Sequence, residues 1–128
     1  MIEERNEVMT GCNVVTQGIP AIEDITLEEL EDELTFLNYA QGKEQFILTE
    51  DFPKHKKRSL YLDNLKIEIE DSYEDPFIML CDVDHMILNN GFVSAMFLNS
   101  SVEKITKETL ADTEKFTIVF DNGTIEIQ

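Results

Sequence analysis

The chain has 128 residues, 42% of them hydrophobic, and carries 27 Asp and Glu against 10 Lys and Arg, a formal net charge of −17. That length and apolar content suffice for one core and exclude a disordered polymer, which needs low hydrophobicity as well as high charge. The charge argues against direct binding to nucleic acid or an anionic membrane, where a basic protein would gain attraction and counterion release.

Residues 1–11, MIEERNEVMTG, lack hydrophobic periodicity and are expected to form a flexible segment, with a single α+β domain over 12–128. The segment is charged and has no apolar run, so it does not read as a signal peptide, and no stretch reaches the ~20 apolar residues of a membrane-spanning helix. The expected compartment is the cytoplasm. Cys12 and Cys81 lie far apart, form no CxxC pair, and are expected to be small buried hydrophobes rather than a disulfide or zinc site.

Cys12-Asn-Val-Val-Thr-Gln17 is a short β-prone run closed by Gly18 and Pro20. A helix follows over Thr26 to Ala40. Thr26 is placed as N-cap, and Glu29 three residues on completes a capping box. Leu27, Leu30, Leu34 and Leu37 share one stripe, and Gly42 supplies a stop. The polar side of this helix carries Glu28, Glu29, Glu31, Asp32 and Glu33 with no interleaved Lys. Most solvated helices mix signs to gain i,i+4 pairs.

Phe46–Thr49 reads as a strand leading through Pro53 into the basic cluster Lys54-His-Lys-Lys-Arg58, expected to be an exposed loop or strand edge. Leu60–Leu62 and Leu65–Glu70 flank Asp63-Asn64, the pattern of a two-residue hairpin. In the second arm Leu65, Ile67 and Ile69 alternate with Lys66, Glu68 and Glu70, as in a strand with one buried face. Phe77–Cys81 is a continuous apolar run suited to a central strand. Met86–Leu88 and Phe92–Leu98 about Asn90-Gly91, and Phe116–Phe120 and Thr124–Ile127 about Asn122-Gly123, read as two further hairpins. Val102 to Asp112 fits either a strand with a loop or a short helix. The fold expected is an antiparallel sheet of about five to seven strands with one principal helix packed on it, its last strand a protected edge carrying Glu126.

Chemistry-bearing patterns are sparse. Asp82-Val-Asp84-His85 sets two carboxylates and an imidazole close together, but is read as a solvated strand end rather than a metal or acid–base site. Asp71, Glu74 and Asp75 lack the glycine and terminal glutamate of an EF-hand loop. No GxSxG, GxGxxG or GxxxxGK[ST] pattern occurs. No catalytic, cofactor-binding or metal-binding residue is assigned, and the chain is not read as an enzyme.

Function is therefore read from charge. Residues 1–53 hold thirteen acids and two bases, residues 54–66 one acid and five bases, and residues 67–101 seven acids and no base. Carboxylates at helical i,i+4 spacing stand about 5–6 Å apart, a repeat comparable to the phosphates of a duplex. Glu28, Glu29, Asp32 and Glu33, continued by Glu68 and Glu70, are the candidate partner-binding residues. The expected role is an acidic inhibitor that occupies the basic groove of a nucleic-acid-binding protein or nuclease, as phage anti-restriction and anti-CRISPR proteins of the DNA-mimic type do. An immunity protein or antitoxin against a basic toxin, and an accessory subunit with Phe77–Leu80 and Phe92–Leu98 at an interface, are the rival expectations.

Overall fold

The computed structural model describes residues 20–82 and 93–128. Among these residues the chain runs β1 (Ala21–Ile25), α1 (Leu27–Thr35), a π-helical turn (Phe36–Ala40), β2 (Phe46–Asp51), β3 (Arg58–Leu62), β4 (Lys66–Glu70) and β5 (Phe77–Cys81). It continues with β6 (Val93–Leu98), a 3₁₀ turn (Asn99–Ser101), β7 (Val102–Leu110), β8 (Thr113–Phe120) and β9 (Gly123–Ile127). Six strands form one sheet in the order β1-β7-β8-β9-β2-β3, and three form a second in the order β4-β5-β6. Every pairing is antiparallel.

Alternation sets the faces. In β8, Phe116, Ile118 and Phe120 are buried while the residues between them are only half-covered. Phe46 and Leu48 of β2, Ile105 of β7, and Ile125 and Ile127 of β9 share their side of the large sheet. Ile67, Ile78, Leu80 and Ala95 from the small sheet, and Leu30, Leu34 and Leu37 from the helical segment, complete the same cluster. The small sheet and α1 thus make a second layer over the large one, around a single core. Phe97 of β6 meets Phe120 of β8 edge-on at 5.1 Å between ring centroids, which joins the layers directly.

The α+β class and the antiparallel character agree with the sequence reading, but nine strands in two sheets exceed the five to seven in one sheet that it expected. Residues 102–110 resolve to strand: β7 pairs with β8 from Val102 to Leu110 and with β1 through Ile105 to Thr109. Leu60–Leu62 and Leu65–Glu70 do not form a hairpin, because β3 stays with β2 in the large sheet while β4 joins β5 in the small one. Nor is β9 an edge; it lies between β8 and β2, and the large sheet's edges are β1 and β3. The β8–β9 hairpin is present with its turn one residue earlier than expected, since Phe120 pairs with Gly123 and leaves Asp121-Asn122 as the loop. The expected segment 1–11, the run Cys12–Gln17 and the 86–92 part of the Asn90-Gly91 hairpin lie outside the described residues.

Candidate functional site: the acidic face

Helix α1 starts where its local chemistry says it should. Thr26 Oγ1 accepts from the Glu29 amide at 3.1 Å, and the Thr26 amide donates to Glu29 Oε1 at 2.8 Å. This reciprocal cap satisfies two otherwise orphaned donors. Glu28 and Glu29 in the first turn also meet the positive end of the helix dipole. The helix widens into the π turn at Phe36–Ala40, where Asn38 Nδ2 donates to Leu34 O at 2.7 Å and to Leu65 O at 2.6 Å. The Leu65 amide returns a bond to Asn38 Oδ1 at 3.4 Å. One amide side chain therefore fixes α1 beside β4 and carries the chain from one sheet to the other.

The six candidate residues divide by what holds them. Glu28 and Asp32 are exposed, one turn apart, and neither side chain has an ion-pair or hydrogen-bond partner among the described residues. Glu29 is committed to the cap. Glu33 is half-buried and accepts from Lys107 Nζ of β7, which also lies 3.4 Å from Glu114. On β4, Glu68 pairs with Lys66 at 2.9 Å, and Glu70 accepts from the amide of Ser72 at 3.1 Å and its hydroxyl at 2.5 Å. Glu68 and Glu70 alternate with Ile67, which faces the core, so they project from the outward side of the small sheet. α1 and β4 are in contact, so the two carboxylate-bearing elements lie side by side.

Four of the nine described bases, all of them on strands, are held in ion pairs within the fold. Arg58 grips Glu50 through Nε at 3.0 Å and a terminal nitrogen at 2.8 Å, and Lys115 lies 3.8 Å from Glu108. The hydrogen bond from Lys107 to Glu33, reinforced by Glu114, holds its amine above the ordinary lysine value. The bond from Lys66 to Glu68 raises that amine likewise, and the Ser72 bonds hold the Glu70 carboxyl below the usual range. The exposed carboxylates left without an ion pair among the described residues include Glu28 and Asp32 on the helix and Glu23 and Asp24 on the β1 edge.

Two readings of single residues change. Asp82, expected at a solvated strand end, is buried at 7% exposure beside Cys81; Asp84 and His85 lie outside the described residues. Burial pushes the Cys81 thiol upward, in keeping with a small interior hydrophobe. Among the described residues no three His, Cys, Asp or Glu side chains gather as a metal would require. Sequence reasoning missed Phe36 and Tyr39, which are 50% and 72% exposed on the π turn. Their signal was present: both fall off the leucine stripe, and Phe36 continues the Glu28–Asp32 line at i+4. No protein family, curated protein or solved structure matched the chain.

Proposed function

We propose that the chain is an acidic protein-binding inhibitor, whose α1 and β4 carboxylates occupy the basic groove of a nucleic-acid-binding protein or nuclease in place of phosphates. The observation that carries this reading is the pair Glu28 and Asp32: exposed, one turn apart, and without a cation partner among the described residues, in a fold that pairs most of its strand bases. Glu68 and Glu70 on the adjoining β4 extend the negative surface, and exposed Phe36 and Tyr39 supply aromatic area of the kind that anchors interfaces. A partner with a Lys- and Arg-lined groove would be drawn by long-range attraction and held at short range by desolvated pairs.

A second reading is favoured by one observation. The outward face of the small sheet exposes Val93 and Met96, with Tyr73 stacked edge-on over Phe77 at 5.3 Å nearby, as an apolar subunit contact would. The two readings separate by salt and by substitution. Tagged protein is used to capture partners from host lysate at low and at moderate salt, with wild type and with Glu28→Lys plus Asp32→Lys compared side by side. The inhibitor reading expects a nucleic-acid-binding partner that is lost at moderate salt, lost with the double reversal, and displaced by duplex DNA. A partner indifferent to salt, to the reversal and to DNA refutes it in favour of the apolar face.

A further inference from the structure

The strongest feature outside the acidic face is a cavity of about 510 Å³ at the opposite sign of charge. It opens where the end of β2 meets the β8–β9 turn. Phe52 and Pro53 form an apolar floor, Asn122 closes one side, and Lys54, His55 and Lys56 stand on the rim. Its one carboxylate, Glu50, is already taken by Arg58. We propose that this cavity binds a small organic anion, a phosphate or carboxylate carried on a flat apolar body, independently of the acidic face.

The floor is built rather than incidental. The Phe52 ring packs on Phe120 with centroids 5.6 Å apart, and Phe120 in turn meets Phe97 of the other layer. The His55 amide donates to Phe52 O at 3.0 Å, closing the turn that carries Lys54 and brings His55 to the cavity beside Phe52. Gly123 explains why the two loops meet so closely: a Cβ there would come within 2.5 Å of Asp51 O and would strike the Phe52 ring. The volume falls within the ~300–1,000 Å³ of small-ligand sites, which pair an apolar lining with a few convergent polar groups. Two lysines on the rim select negative charge, and the flat floor selects the body that carries it.

The net charge of −17 does not defeat such a site. Distant carboxylates are screened beyond about 8–10 Å at physiological ionic strength, whereas the rim lysines act at contact. Residues 54–57 hold three lysines and no acid, so positive charge unpaired among the described residues is concentrated in the segment that lines the cavity.

The test uses the full chain and phenyl phosphate as probe, followed by amide chemical shifts of Phe52, His55 and Asn122. Saturable shifts are expected at these three positions. Phenol, which has the body without the charge, and inorganic phosphate, which has the charge without the body, should each bind about tenfold more weakly or worse. Lys54→Gln with Lys56→Gln, both at exposed positions, should weaken phenyl phosphate about tenfold, while Lys57→Gln, next to the cavity but not lining it, should leave it unchanged. Absence of saturation, equal binding of inorganic phosphate, or equal loss with Lys57→Gln overturns the proposal. Benzoate then assigns the anion: binding as tight as phenyl phosphate supports any carboxylate or phosphate, and failure to bind overturns the carboxylate half.

Discussion

Lys107 is the cation on which the seating of the acidic helix depends, and replacing it by Met isolates its charge. Methionine keeps most of the apolar stem that crosses the sheet, so packing is little altered. The amine is lost from between Glu33 and Glu114, which then face each other half-buried, with side-chain exposures of 26% and 28%. A solvent-exposed pair contributes at most about 1 kcal/mol, and a fully buried carboxylate stripped of its partner costs about 3–5 kcal/mol. Two partly covered pairs sharing one cation fall between these limits, at about 2 kcal/mol. For a chain of this size that is about 6–10 °C in Tm. The measurement is urea unfolding of wild type, Lys107→Met, Glu33→Gln and the double variant, with a coupling energy of about 1 kcal/mol expected between 107 and 33. The pH dependence has a defined sign. A folded-state amine held above the ordinary 10.5 stabilises fully below that value, and the stabilisation fades as pH climbs through the raised one. The gap between wild type and Lys107→Met should therefore be flat from neutral pH upward and then narrow as pH rises above 10.5. A loss under about 0.5 kcal/mol, or zero coupling, would refute the idea that this contact holds α1 to β7.

Other substitutions test the local arguments. Thr26→Ala removes the reciprocal cap and should cost about 1 kcal/mol, read as a lower urea midpoint at unchanged slope. Ala111 turns the β7–β8 hairpin at φ 57°, so Ala111→Gly should stabilise by about 1 kcal/mol; a destabilised variant would count against the strained turn. Gly123→Ala drives a methyl into Asp51 and Phe52 and should cost about 1–3 kcal/mol, with a thermal melt no lower than wild type as the contrary result. Cys81, buried and with its thiol pushed upward, should alkylate far more slowly in the native protein than in urea when followed by peptide mass mapping.

What the sequence revealed was local, and what it concealed was long-range. The cap at Thr26 and Glu29 is a four-residue signal, and the leucine stripe needs only the helical period. The β8–β9 hairpin was legible for the same reason, but its turn was displaced because Gly123 answers to Phe52, seventy-one residues earlier, rather than to its own turn. The Leu60–Ile69 hairpin failed on a single side chain: Asn38 takes both backbone groups of Leu65 and diverts the chain to the other sheet. Ala21–Ile25 escaped notice because AIEDI has too little apolar alternation for an edge strand to declare itself. In the candidate face, charge was readable and commitment was not. Nothing in the spacing of Glu33 told that Lys107 would claim it, and nothing in Lys54–Lys56 told that Phe52 and Asn122 would enclose a cavity beside them.

The order of strands in the large sheet has a consequence for how the chain is made. Among the described residues β1 finds its sheet partner only in β7, and β2, although it pairs early with β3, enters the body of the sheet only through β9. The C-terminal run β7-β8-β9 is a meander of neighbouring hairpins and closes short loops, whereas joining Ala21 to Thr109 closes about two thirds of the chain. Low contact order favours the meander as the nucleus, with β1 seated after the strands that follow it. During synthesis, β1 and α1 must wait for strands not yet translated, exposing Leu30 and Leu34 in the interval. The dense carboxylates flanking those leucines then act before any partner is met, keeping waiting chains apart by mutual repulsion.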